Sequence, residues 1–161
     1  MLWLRGLIFT ALVPVMIAWL LPAWIDPLAR PAGDWWNLGW LPIVAGTLIY
    51  ALCLIRFLVA GGTPAIFFTR HIRFLIGEEP AGLVSTGIYR FSRNPMYAGV
   101  LLTVFGQALL FASLRVAIYA CVASLFFPCI VVFLEEPHLR ATRGHDYEVY
   151  LRSVPRWLGC G

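Results

Sequence analysis

The sequence predicts an all-α membrane protein: a polytopic helix bundle with four transmembrane helices and a C-terminal interfacial helix, forming a single membrane domain over residues 1–161. Three observations predict it. Hydrophobic residues make up 61% of the chain and charged residues 12%, with a mean hydropathy of +0.82, a composition outside the range of soluble domains. Four stretches free of Asp, Glu, Lys and Arg, at 6–25, 35–55, 94–114 and 116–134, match the roughly 20 apolar residues needed to cross a bilayer core. The arginines, finally, fall on one side of such a bundle.

The first stretch follows Arg5 but is longer than the apolar run of a signal peptide, and no small-x-small cleavage site stands out. It is expected as a retained helix. The second begins among Trp35, Trp36 and Trp40, whose rings suit the membrane–water interface. A connection of 38 residues, 56–93, separates it from the third, and loops of that length in a compact protein are usually functional or disordered. Within the loop, PAIFFTRHIRFLI mixes Phe67, Phe68, Ile72, Phe74, Leu75 and Ile76 with Arg70, His71 and Arg73. That mixture suits a segment in the headgroup region, either an anchor or a lid over a lipid-like substrate.

Asn94-Pro95 is a good helix start: Asn accepts from the first free backbone N–H groups, and Pro is preorganised for the first helical position. The positive end of that helix, preceded by Arg90 and Arg93, is a natural seat for an anion. Tyr97 and Gly99 fall in its first turns. Gly99, Thr103 and Gly106 continue as a small-residue stripe against which the fourth helix is expected to pack.

The short link around Arg115 makes the third and fourth spans a hairpin, which brings Glu135 and Glu136 back near Arg93 and Asn94. Two adjacent carboxylates at the edge of hydrocarbon repel each other and lose hydration, so they call for a cation. Arg90 or Arg93 would serve, and so would a positively charged ligand. Pro137 is expected to disturb the helix and Pro128 to kink it. In the tail, 135–161, Gly144 is placed to end one helical segment before a second in which Tyr147, Tyr150, Leu151 and Val154 share a face. This short amphipathic helix would fold back as a cap, its end anchored by Arg156 and Trp157.

With the N-terminus cytoplasmic, ten of the twelve arginines lie on the cytoplasmic side and only Arg30 and Arg115 lie opposite; there is no Lys. Both termini and the polar site are therefore expected to face the cytoplasm. The formal charge of +4 is explained by topology and anionic lipid headgroups, so no nucleic-acid partner is called for. Cys53, Cys121 and Cys129 sit inside apolar spans and no cysteine spacing suggests a disulfide frame or a metal site, while Cys160 lies two positions too late for a prenylation box, so lipidation there is not expected.

GIYRFSRNPMYAGV followed by EEPHLRATRGHDYEVYLRSVPRW resembles the C-terminal half of the isoprenylcysteine carboxyl methyltransferase and phospholipid methyltransferase superfamily, small multispan enzymes that use S-adenosylmethionine. The likeness runs from about Gly61 to Trp157, with several motifs in order. It implies that Arg93, Asn94, Pro95, Tyr97, Gly99, Glu135, Glu136, Tyr147, Tyr150 and Arg156 build a cofactor pocket, with Arg93, Asn94 and Glu135 closest to the chemistry. Asn94 stands where the prenylcysteine enzymes carry His, which leaves the motif without an imidazole to accept a proton.

S-adenosylmethionine presents an ammonium, a carboxylate, an adenine and a sulfonium. Glu135 or Glu136 suits the ammonium or ribose hydroxyls, Arg93 and the helix start suit the carboxylate, and Tyr97, Tyr147 or Tyr150 suits the adenine face. The expected acceptor is an amphiphilic or small membrane-accessible molecule bearing a carboxylate, thiol or amine, reached from the lipid side. Two other readings compete: a membrane reductase using a reduced nicotinamide cofactor, and a non-enzymatic membrane assembly or transport subunit.

Overall fold

A computed structural model describes residues 1–64 and 73–157. The expected interfacial segment at Phe67, Phe68, Arg70, His71 and Ile72, and Cys160, lie outside the described residues. The regular structure of the described residues is helical.

Helix α1 (Leu2–Leu12) is interrupted beside Pro14, continues through a π-helical turn (Met16–Leu20) and ends as α2 (Leu21–Ile25). Pro22 lacks the N–H that would reach back one turn, so nearby carbonyls need donors from elsewhere. Gln107 Nε2 donates to the Ala18 carbonyl at 2.6 Å, and the Tyr119 hydroxyl to that of Ile17 at 2.9 Å. A buried glutamine in an apolar helix thus satisfies backbone that a proline left unpaired.

A 3₁₀ turn (Asp34–Gly39) leads into α3 (Trp40–Val59); the short α4 (Arg73–Ile76) and a 3₁₀ turn (Gly87–Arg90) precede α5 (Pro95–Leu110). Helix α6 (Leu114–Ile130) passes through a π-helical turn (Val131–Glu135) into α7 (Glu136–Ser153). Three helical runs, Leu2–Ile25, Asp34–Val59 and Leu114–Ser153, are long and apolar enough to cross a membrane. Helix α5 is apolar but has 16 residues, about 24 Å at 1.5 Å per residue, against a hydrocarbon core of about 30 Å.

Helix α5 occupies the middle of the bundle. Val100, Val104 and Ala108 form one hydrophobic core with Val116, Ala120, Ala123 and Phe127 of α6. The stripe of Gly99, Thr103 and Gly106 faces α3, and not the fourth helix as the sequence suggested. A Cβ on Gly99 would lie 2.8 Å from the Gly46 carbonyl oxygen, and one on Gly106 2.8 Å from that of Gly39. Gly46 of α3 and Gly39 at the end of the turn before it meet the glycines of α5 in matching register, so the backbones come together where neither has a side chain to separate them. At the end of the bundle formed by α2 and the α5–α6 turn, Asp26 accepts from the Ser113 hydroxyl at 2.5 Å and lies 4.0 Å from Arg115. Around Phe9, Tyr97 and Val131 the same helices instead line a cavity.

Candidate functional site

The cavity is shaped by the passage from α6 into α7. Pro137 cannot donate to the carbonyl one turn back, and the turn before it widens so that Glu136 N–H reaches the carbonyl of Val131, five residues earlier. The wider turn carries an extra residue, and Phe127, Val131, Glu135, Glu136 and Leu139 all line the cavity. Pro137 therefore reshapes the helix without ending it, and Pro128 lies inside α6, which continues through it. The chain turns at Gly144, whose φ of 50° and ψ of −121° lie outside the helical range and favour a residue without Cβ. Beyond it Tyr147, Tyr150 and Val154 are buried together, packed with Leu83 and Leu139.

This tail is hydrogen-bonded to the start of α5. Arg93 N–H donates to the Pro155 carbonyl at 2.9 Å, the Tyr150 hydroxyl donates to the Tyr89 carbonyl at 2.6 Å, and the Arg156 carbonyl accepts from the Ser92 hydroxyl at 3.2 Å and from Asn94 Nδ2 at 3.1 Å. Pro95 opens α5 as the sequence indicates, but Asn94 does not cap it through its side chain. Its amide holds the tail, while the Ser92 hydroxyl accepts from Asn94 N–H.

The adjacent glutamates have different partners. Glu136, only 4% exposed, accepts from Arg156 Nε at 2.7 Å and Nη2 at 3.1 Å, and from Arg93 Nη1 at 3.2 Å. This is the expected pairing with Arg93, joined by a second arginine; Arg90 is exposed and does not line the cavity. Glu135 accepts from the Tyr97 hydroxyl and has no arginine within ion-pair distance among the described residues. Burial raises the Glu135 carboxyl above the usual carboxylate range; the Tyr97 hydrogen bond opposes that rise, the Glu136 charge adds to it, and His138 opposes it. Among the described residues, Arg93 Nε is buried without a hydrogen-bond partner.

The cavity encloses about 1080 Å³ including its open mouth. Its polar end has Arg93, Asn94, Tyr97, Glu135, Glu136, Tyr147 and Tyr150, so seven of the ten residues singled out from the sequence line one space. Pro95, Gly99 and Arg156 do not: Pro95 is buried in the first turn of α5, Gly99 is spent on the α3 contact, and Arg156 reaches the site through Glu136. Sequence reasoning missed the opposite walls. Phe9, Val13, Pro14 and Ile17 of the first helix form an apolar side, and Glu79, Pro80, Leu83, Val84 and Arg143 complete the polar end. Pro14 was a visible signal of a broken helix, and the length of the 56–93 connection marked the loop, but only the tertiary fold carries these particular residues to the site.

An all-helical protein with membrane-length helices and a cavity that is polar at one end and apolar at the other is the class defined so far. The model of the phospholipid methyltransferase family matches residues 41–145, and the chain belongs to that family. It is 32% identical over 123 residues to protein-S-isoprenylcysteine O-methyltransferase A of Arabidopsis thaliana, and 30% identical over 124 residues to protein B of the same name and organism. These alignments cover 74% and 75% of this chain and 58% of each relative, so the chain spans somewhat over half their length. A phosphatidylethanolamine N-methyltransferase of Malassezia globosa is 38% identical over 73 residues, 45% of this chain and 8% of that protein. No solved structure matches the chain significantly.

Proposed function

We propose that the chain is an integral membrane methyltransferase that transfers a methyl group from S-adenosylmethionine to an amphiphilic or small membrane-accessible acceptor. In this reading α5 completes a set of four spans, and the termini and the polar end of the cavity face the cytoplasm. The observation that carries it is one cavity bordered by Glu135, Arg93 and the Tyr147–Tyr150 pair at one end and by Phe9, Ile17, Val100 and Phe127 at the other.

The residues fit the cofactor. Arg93 Nε, buried and without a hydrogen-bond partner among the described residues, is suited to a carboxylate oxygen. Glu135, without an arginine of its own among the described residues, is suited to the ammonium, and the tyrosines to adenine. The cofactor, when bound, supplies a sulfonium whose departure needs little help. What the chain supplies is alignment and exclusion of water, and well-oriented reactants lower such a barrier by about 7–11 kcal/mol. The apolar wall would hold the acceptor's hydrocarbon part, with its nucleophile at the Tyr97–Glu135 level. A carboxylate or thiolate acceptor needs no strong base, whereas an amine acceptor must arrive unprotonated.

Purified protein in detergent is expected to bind S-adenosylmethionine, and Glu135→Gln and Glu136→Gln to weaken binding far more than Glu78→Gln. Labelled-methyl transfer into a total lipid and small-molecule extract, read by mass spectrometry, would identify the acceptor. Equal effects at the three positions, or no binding by the unaltered chain, would favour the assembly-subunit reading.

A further inference from the structure

Among the described residues, much of the cavity wall is helix, and one stretch of loop contributes several side chains to it. Residues 77–84, between α4 and the 3₁₀ turn at Gly87–Arg90, contribute Glu79, Pro80, Leu83 and Val84 to the lining without forming helix or strand. On one side this loop is tied to the end of α3, where Thr63 N–H donates to the Glu78 carbonyl at 2.8 Å. On the other it is held by side chains of α7. Glu79 Oε1 lies 3.2 Å from His138 Nε2, Glu79 Oε2 lies 3.6 Å from Arg143 Nη2, and the Arg143 guanidinium donates to the carbonyls of Pro80 and Ala81.

The side chains of Glu79, His138 and Arg143 are 25%, 28% and 15% exposed, so water reaches the cluster without dissolving it. Partly exposed charge pairs hold weakly and can be exchanged for water. Leu83 packs on the Tyr147–Tyr150 cluster and Val84 on the Cys53–Phe57–Tyr89 cluster, so apolar contacts hold the loop as well as these pairs, and without helix hydrogen bonds it opens at lower free-energy cost than the helices beside it. His138 and Arg143 also lie on the helix that carries Glu136, so the retaining groups and the polar end of the cavity share one element.

We infer that Glu79, His138 and Arg143 form a clasp that holds loop 77–84 as the movable wall of the cavity, and that its opening limits release of the polar occupant. The three are positioning residues, acting through the loop. The release step rests on the methyltransferase reading, while the motion of the loop does not.

The test uses the full chain in detergent with S-adenosylhomocysteine as the probe, together with hydrogen exchange of the ligand-free protein. Glu79→Gln and Arg143→Gln are each expected to raise the dissociation rate about five- to tenfold, with the larger effect for Arg143→Gln because it also removes the donors to the Pro80 and Ala81 carbonyls. Amide exchange over 77–84 is expected to quicken in each variant while that of α5 stays as in the unaltered protein. Unchanged release rates, unchanged exchange in the loop, or acceleration extending into α5 would each overturn the clasp, the last because it signals general destabilisation. If the unaltered chain fails to bind the probe, the methyltransferase reading falls, and loop exchange alone decides whether the clasp exists.

Discussion

Arg156 lays its guanidinium fork on the Glu136 carboxylate, Nε 2.7 Å from Oε1 and Nη2 3.1 Å from Oε2, and so ties the end of the tail to the first turn of α7. Arg93 approaches the same carboxylate from the start of α5. One buried acid thereby joins three segments that are distant in sequence.

Removing that acid leaves the Arg93 side chain, 11% exposed, without its counter-charge. Glu136→Gln is expected to destabilise the fold by about 3 kcal/mol, the usual cost of breaking a buried pair from one side. Arg156→Lys keeps the charge and loses the fork, and should cost less. Unfolding in detergent measures both; a Glu136→Gln protein as stable as the original would mean that the pairing contributes nothing.

Glu135 should behave in the opposite way. Its folded-state pKa is raised by burial, so the fold binds its proton more tightly than the unfolded chain does. Its contribution to stability is fully present below the ordinary carboxylate range and is lost as pH rises through the raised folded value. Binding of an ammonium-bearing ligand needs the ionised form and runs the other way, weakening as pH falls through that value. Glu135→Gln is therefore expected to leave stability unharmed near neutrality, to lower affinity for S-adenosylmethionine by about tenfold or more, and to flatten the pH dependence of both. Retention of a steep acid limb in affinity would assign it to another group.

Asn94→Asp exchanges the donor that holds the Arg156 carbonyl for an acceptor, at a position 9% exposed. Leaving a buried carbonyl facing a like dipole should cost about 1–3 kcal/mol, felt first in the tail. Limited proteolysis beyond Ser153 is the direct readout, and a tail cleaved no faster than before would count against this role for Asn94.

Gly99→Ala places a methyl group against the Gly46 backbone, which cannot turn aside as a flexible side chain would. Separating α3 from α5 should cost about 1–3 kcal/mol, although Gly99 does not line the cavity. A loss of ligand affinity without loss of stability would contradict a packing role.

Gln107→Leu removes the donor to the Ala18 carbonyl beside Pro22. The orphaned carbonyl is expected to cost about 1–3 kcal/mol, seen as a lower unfolding midpoint. Gln107→Glu in its protonated form can still donate, so the loss should be partly recovered at low pH.

Sequence alone determined that this chain is helical and apolar, where its long uncharged runs lie, and that the Asn94-Pro95 start and the Glu135-Glu136 pair are the polar exceptions. Hydrophobicity and helix-start preferences act within a few residues, and so can be read along the chain. The tertiary structure decided which side of each exception matters. It gave Glu136 to two arginines and left Glu135 to Tyr97, turned the glycine stripe of α5 towards α3, and used Asn94 to hold the tail instead of capping a helix. It also brought Glu79 and the first helix to the cavity, a meeting of segments distant in sequence. The helix pairings depend on how one helix is rotated against another, and the π-helical turns before Glu136 and around Ala18 each add a residue to a turn. A proline marks the neighbourhood of each such turn in the sequence, but which partner the rotated side chain then meets is fixed only when the helices pack.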